Sequence, residues 1–214
     1  MTIESFNFAT AHFYGDALAS QFRLRQRVFI DRQDYQVNSW KGMEFDQFDT
    51  PATQYFVWRD ETGEVRGVAR MAPTTLKYMI EEVWPEMVTE IDLPHSEQVW
   101  EGTRFGVDRD LSPELRSQVI KELVCAYMEY AVMNDIDEII GLMPVGITRA
   151  VFNRNGWKNI DIGPVWLEDG IKVQAGILPV NAETLHNVRH RTKMHDVLHV
   201  DGEDRTHVTP LKAA

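Results

Sequence analysis

A single cysteine, Cys125, stands in 214 residues, which excludes an intramolecular disulfide and with it a cysteine-framed secreted scaffold. No apolar run reaches the roughly 18 residues that a membrane-spanning helix requires, so no membrane partner is expected. The N-terminus, Met1-Thr2-Ile3-Glu4-Ser5, lacks a basic stretch followed by an apolar one. No secretory leader is therefore expected, and the cytoplasm is the expected compartment. Basic residues are the scarcer charge: 22 Lys and Arg against 33 Asp and Glu give a formal charge of −11. That argues against a nucleic-acid partner, because neutralising phosphates takes clustered cations. Low-complexity tracts and internal repeats are absent as well.

What remains is an ordinary globular composition of a size that buries a real core. One domain is expected over 1–194, followed by a polar tail over 195–214. Gln54–Arg59 and Glu64–Met71 flank the turn Asp60-Glu61-Thr62-Gly63 and read as an antiparallel hairpin, with Pro73 stopping the second strand. Residues 15–31 read as a helix whose inner face carries Leu18, Phe22, Arg25 and Phe29. A second helix opens at Ser112-Pro113-Glu114, a capping hydroxyl followed by proline and an acid, and carries Leu115, Val119, Leu123, Tyr127 and Tyr130 inward. Asp137–Met143 reads as a buried strand and Gly146–Asn155 as a helix ended by Gly156. Ile160–Leu167 and Ile171–Leu178 read as two more strands. Strands and helices mixed in this order predict a three-layer α/β/α sandwich around one mixed sheet.

The candidate functional residues are charges where a core should be. Arg25 falls on the apolar stripe of its helix, which suits either an arginine snorkelling at the core's edge or one aimed into a cleft with an anionic partner. Asp46 and Asp49 lie three apart in a loop, with Phe45 and Phe48 as anchors against the core. Their spacing lacks the acids and glycine of a calcium loop, so no metal is expected there. Arg70 closes the hairpin, and Val99–Phe105 adds a strand carrying Glu101, Thr103 and Arg104. In a regular strand Glu101 and Thr103 share one face and Arg104 takes the other. For Glu101 and Arg104 to serve one site the strand must bulge or splay, and Gly102 is where a bulge is expected.

Taken together, Arg25-x3-Phe29, Asp46-Gln-Phe-Asp49, Gly67-Val-Ala-Arg70-Met-x-Pro-Thr-Thr and Trp100-Glu101-x-Thr-Arg104-Phe105 resemble the signature of the acyl-homoserine lactone (autoinducer) synthases. The likeness in order and gaps covers about residues 20–110; the C-terminal half is similar only in layout. One departure is Tyr35, where the family usually has tryptophan. The resemblance implies an N-acetyltransferase-like sandwich with a splayed strand pair forming an acyl cleft. It implies an acyltransferase making a quorum-sensing signal, with S-adenosylmethionine as a substrate and no separate cofactor. An acyl-thioester on coenzyme A or an acyl carrier protein is the implied donor, and the chain is expected to be a monomer. The α-amine of S-adenosylmethionine would be acylated, and the carboxylate of that substrate would then close the lactone and expel methylthioadenosine.

On that reading Glu101, Arg104, Asp46 and Arg25 carry the catalysis, with Glu101 as the base and a backbone N–H near Phe105 or Gly106 for the oxyanion. Arg25, Phe29, Tyr35, Asp46, Asp49, Arg70 and Phe105 would hold S-adenosylmethionine, through ion pairs and ring faces. Thr103, Tyr127, Met128, Gly141, Leu142, Met143 and Ile147 would line the acyl pocket; each is also ordinary core. Relatives that take 3-oxo chains commonly carry threonine near position 141, so Gly141 implies an unsubstituted acyl group. Arg149, Arg154 and Lys158 form a basic patch suited either to solvent or to docking the donor. His186 and His190 stand one helical turn apart but lack a third ligand, so no metal is expected.

Two other readings stay open. One is an N-acyltransferase of related fold acting on a different amine. Against it, Arg109-Asp110-Leu111-Ser112-Pro113-Glu114 has none of the glycines of the usual pyrophosphate loop. The other is a non-catalytic acyl-binding module, which has no use for a costly buried polar cluster.

Overall fold

A computed structural model describes residues 2–31 and 37–200. In chain order the strands are β1 (Ile3–Phe6), β2 (Ser39–Trp40), β3 (Met43–Glu44), β4 (Gln54–Arg59), β5 (Val65–Pro73), β6 (Val99–Val107), β7 (Glu138–Pro144), β8 (Ile160–Asp161), β9 (Trp166–Glu168), β10 (Ile171–Pro179) and β11 (Leu198–Val200). The helices are α1 (Ala17–Arg25), α2 (Met79–Val83), α3 (Pro113–Met133), α4 (Val145–Ile147) and α5 (Ala182–Thr192). No helix among the described residues is long and apolar enough to cross a membrane.

One sheet runs β11-β1-β4-β5-β6-β7-β10-β8, with β9 also on β10, and β2 and β3 pair separately. It is mixed: β1 with β11 and β6 with β7 are parallel, and the remaining neighbours antiparallel. Strand alternation sends residues to two cores. Phe56, Trp58, Ala69 and Met71 pack with Leu123, Tyr127 and Tyr130 of α3 and Val188 of α5. Tyr55, Val57, Val65 and Val68 pack on the other face with Leu24 of α1 and Val28 just beyond it. Helices on both faces of a mixed sheet give the three layers expected.

Local chemistry explains the boundaries. Ser112 accepts from the N–H of Leu115, and Pro113 opens α3 where its missing N–H costs nothing. After α4 the backbone widens into a π-turn over Thr148–Phe152 and tightens over Asn153–Asn155. Gly156 stops it in the left-handed region (φ 91°), where a β-carbon would meet the carbonyl of Asn187 at 2.6 Å.

Four expectations need correction. The inner face of α1 is Ala17, Ser20, Gln21, Leu24 and Arg25, while Leu18 and Phe22 are only half-buried. The helix beyond Arg25 is a π-turn over Gln26–Asp31 rather than a continued α-helix. The expected strand over 160–167 is broken into β8 and β9 because the chain at Gly163 presses on Met87, whose carbonyl oxygen a β-carbon would meet at 2.0 Å. The tail does not start at 195: Leu198–Val200 extends the sheet beside β1, and the Glu129 carboxylate of α3 accepts the N–H groups of Val197 and Leu198, each at 3.0 Å. Residues 201–214 lie outside the described residues.

Candidate active site

Arg25 emerges from the last turn of α1, Glu44 from β3, Asp46 and Asp49 from the loop after it, Arg70 from β5 and Arg104 from β6. They meet on the α1 side of the sheet. Arg25 Nε donates to Glu44 at 2.5 Å, and its two Nη atoms grip both oxygens of Asp49 at 2.7 and 2.9 Å. Arg70 makes the same fork on Asp46, at 2.7 and 3.1 Å, and lies 3.0 Å from Asp49. Arg104 Nη2 bridges Asp46 at 2.7 Å and Glu44 at 3.1 Å. Three guanidinium groups thus balance three carboxylates, each buried charge answered by planar, charge-assisted hydrogen bonds. Burial pushes the Asp49 carboxyl up, but the Arg70 and Arg25 charges outweigh it and hold it well below the usual carboxylate range.

Arg104 resolves the mismatch of faces within β6, though not at Gly102. The register of β5 against β6 runs Val68↔Gly106 and then Arg70↔Thr103, so Ala69 faces two residues, Arg104 and Phe105. That is a bulge, and Arg104 takes it up with a φ of 53°, a conformation that costs a non-glycine side chain on the order of 1–3 kcal/mol. The result is that Thr103 and Arg104, adjacent in sequence, both reach the cluster: Thr103 Oγ1 accepts from Arg70 Nε at 2.8 Å.

β6 and β7 pair only through Val99↔Glu138, Trp100↔Ile139 and Glu101↔Ile140. Beyond Glu101 the strands part, and a cavity of about 860 Å³ opens between them. Among the residues expected to hold the acceptor, Phe29, Asp46 and Phe105 line it, and so does Arg104 of the catalytic set. Gly106 lets Phe29 approach, since a β-carbon there would sit 3.2 Å from its ring, and the Arg104 guanidinium lies over that ring 5.6 Å from its centre. Of the acyl-pocket set, Thr103, Tyr127, Gly141, Leu142, Met143 and Ile147 line the cavity. Met128 does not; it is a fully buried core residue of α3.

The structure moves other residues to the rear. Side-chain exposure rises from 0% at Arg25 and Glu44 through 1% at Arg70 to 9% at Arg104 and 12% at Asp46. Arg25, Asp49 and Arg70 therefore brace the acids instead of facing the cavity. Tyr35 lies outside the described residues. Glu44 was not singled out from the sequence; its signal is the two-residue step to Asp46 in an extended segment, which turns both acids to one side.

Glu101 sits at the fork where the strands part, 2% exposed, beneath the cavity wall. Its oxygens accept the N–H groups of Met79 and Ile80 at 2.8 and 2.7 Å, closing the start of α2. It is in no ion pair among the described residues, and burial, only partly opposed by those two N–H groups, pushes its carboxyl up to about 7. Arg149, Arg154 and Lys158 are exposed, in no ion pair among the described residues, and do not line the cavity. The His186 and His190 rings stack 6.3 Å apart on α5, away from this cleft, and no three potential ligands gather round a metal-sized site among the described residues.

The geometry can be set beside known proteins. The acyl-homoserine-lactone synthase of Acinetobacter nosocomialis is 29% identical over 174 residues, 78% of this chain and 94% of that one. That of Aeromonas hydrophila is 33% identical over 139 residues, 63% of this chain and 66% of that one. Among solved structures, TofI in a ternary complex with an inhibitor and MTA superposes with a TM-score of 0.75 at 29% identity, over 88% of this chain and 96% of that one. A CoA-dependent acyl-homoserine lactone synthase, BjaI, solved with SAM and isopentyl-CoA, shares the fold with a TM-score of 0.84 at 24% identity, over 95% and 94% of the two chains. The family model described as autoinducer synthase matches residues 10–188, most of the chain, and this protein belongs to that family.

Proposed function

We propose that the chain is an acyl-homoserine lactone synthase that joins an acyl group from a thioester to S-adenosylmethionine and closes the lactone. The observation that carries this reading is the three-arginine, three-carboxylate cluster set at the mouth of an apolar cavity between parting strands. A polar end and an apolar end in one cleft suit two substrates that must meet. Asp46 would take the ammonium end of the acceptor and Arg104 its carboxylate, both held by Arg25, Arg70 and Glu44. Phe29 and Phe105 would contact the sulfonium or adenine, and the acyl chain would run past Thr103, Gly141, Leu142 and Ile147.

In the first step the α-amine attacks the thioester carbonyl, the C–S bond breaks, and the thiol leaves with a proton as the amide forms. An α-amino group titrates near about 7.7–8.0, so a base of comparable strength is needed. Glu101 fits: of the four carboxylates here it alone lacks an arginine partner, and its carboxyl is raised to about 7. Being just behind the wall, it would receive the proton through an intervening water. A backbone N–H near Phe105 or Gly106 would face the oxyanion. In the second step the substrate carboxylate attacks its own γ-carbon, and the sulfonium leaves as the neutral thioether methylthioadenosine. That step needs orientation more than acid or base help, and a fixed Arg104 supplies it. S-adenosylmethionine is consumed as a substrate, and the balance calls for no other cofactor.

The donor is an acyl-thioester on coenzyme A or an acyl carrier protein, with Arg149, Arg154 and Lys158 as its docking patch and the cytoplasm as the place of work. The enzyme would act as a monomer, since one chain supplies every group invoked. The test is a panel of acyl-CoA and acyl-carrier donors with S-adenosylmethionine, products read by mass spectrometry. Methylthioadenosine and an acyl-homoserine lactone in equal amounts are expected with at least one donor; no lactone with any of them would overturn the reading.

A further inference from the structure

We propose that Tyr127 is a positioning residue that ties the acyl half of the cavity to the acceptor half through the main chain of Arg70. The inference rests on the reading above, in which both substrates meet in this cleft. Tyr127 projects from α3, and its ring forms part of the cavity wall, edge-on to Phe105 and Phe56 with centres 6.1 and 4.8 Å away. Its hydroxyl donates to the carbonyl of Arg70 at 2.5 Å. Arg70 is therefore gripped twice: its main chain by a residue of the acyl wall, and its guanidinium by Thr103, Asp46 and Asp49.

The place of this bond matters. Arg70 is the first residue after the irregularity that admits Arg104 to the cluster, where β5 has lost its simple register with β6. A strand at a bulge has fewer ladder bonds to define its position, so a bond from a neighbouring helix carries more of that task. Burial pushes the Tyr127 hydroxyl well above its ordinary value, so it remains a donor at every working pH. Without it the Arg70 carbonyl loses a buried hydrogen bond, and the segment can relax by shifting along the bulge. The shift would displace Asp46 and Arg104, which face the acceptor, while a phenylalanine ring would leave the acyl wall filled.

The experiment is Tyr127→Phe, assayed with S-adenosylmethionine varied at saturating donor and the reverse, with thermal melts and calorimetric titration of S-adenosylmethionine on the same preparations. Expected are a fall of about tenfold or more in kcat/KM for S-adenosylmethionine, weaker binding in the titration, and a donor KM within about twofold of wild type. A lower kcat with both KM values unchanged would mean only a loss of active molecules and would overturn the role. So would unchanged acceptor kinetics, or a change confined to donor preference, which is the signature of a plain wall residue. A wild type inactive with every donor would overturn the functional reading and this inference with it; an active wild type beside an indifferent variant would overturn this inference alone.

Discussion

Replacing Glu101 by glutamine separates its structural work from its proposed chemical work. In the folded chain both oxygens accept backbone N–H groups, from Ile80 at 2.7 Å and Met79 at 2.8 Å. A glutamine keeps one acceptor and turns its NH2 toward the other N–H, leaving a buried donor unanswered at a cost of about 1–3 kcal/mol. The lost charge works the other way. Because burial raises the carboxyl from 4.5 to about 7, the folded state holds its proton more tightly than the unfolded state does. That stabilisation is fully present below pH 4.5 and is lost as pH rises through about 7, where a bare carboxylate must be kept buried. Glu101→Gln should therefore be less stable than wild type in acid and close the gap above neutrality. For turnover the sign is opposite, since a base works only when unprotonated. Wild-type kcat/KM should climb through about pH 7, whereas the variant should fall 10²–10⁴-fold and lose that inflection. Initial rates of methylthioadenosine release across this range, paired with melts at each pH, separate the two effects. A loss of less than about tenfold, with the inflection retained, would refute the assignment of the proton to Glu101.

Arg25→Ala removes from buried Glu44 and Asp49 one of the two arginines each holds, which should cost about 3–5 kcal/mol and lower Tm by roughly 6–20 °C in scanning calorimetry. Gly141→Thr places a β-carbon 3.1 Å from the Gly102 carbonyl and narrows the cavity, so kcat/KM for unsubstituted acyl donors should drop roughly tenfold while 3-oxo donors, which can bond the hydroxyl, lose less; competition between the two donors reads the ratio. Arg154→Glu with Lys158→Glu, two exposed charges, should lower kcat/KM for the donor several-fold at low salt and converge with wild type at high salt, with KM for S-adenosylmethionine unchanged.

The hairpin, the long helix and the buried strand were legible because each carries its period and its stops: alternation with Gly63, the Ser112-Pro113 cap, and the apolar run after Asp137. The elements that escaped are short or depend on distant partners. β1 and β11 are strands of only four and three residues, β1 held between β4 and β11 and β11 at the sheet's edge by β1 and by Glu129 from α3. No window of sequence contains both halves of that arrangement. The site shows the same divide. Arg25, Asp46, Asp49, Arg70 and Arg104 stand out as charges in apolar surroundings, yet charge pattern does not tell which of them face a cavity and which stand behind. Glu44 is hardly legible in the sequence, because a glutamate in a loop-like segment is ordinary until folding sets Arg25 and Arg104 against it. The bulge was expected at Gly102 on conformational cost, but Gly102 is needed for packing: a β-carbon there would press within 2.9 Å of Ile139. The irregularity therefore falls to Arg104, whose strained backbone is offset by ion pairs to Glu44 and Asp46.

That exchange of strain for ion pairs bears on why the cluster needs so many charges. One arginine facing the cavity would suffice to bind a carboxylate, but alone it would carry a buried positive charge and repel the sulfonium of the acceptor. Pairing it with Asp46 at 2.7 Å makes the exposed wall a fixed zwitterion, complementary to the ammonium and carboxylate that an amino acid presents together. The orientation of Asp46 within that pair is fixed by Arg70, which holds both of its oxygens and does not itself line the cavity. Arg70 in turn is balanced by Asp49, and Asp49 by Arg25. Each added charge compensates the one in front of it, so the net field at the wall stays near zero while the orientation of its two outermost groups is fixed. A wall of balanced charge leaves Glu101, the carboxylate without an arginine in an ion pair, as the group proposed to change its ionisation during turnover, which is why a pH profile centred on it tests the whole arrangement.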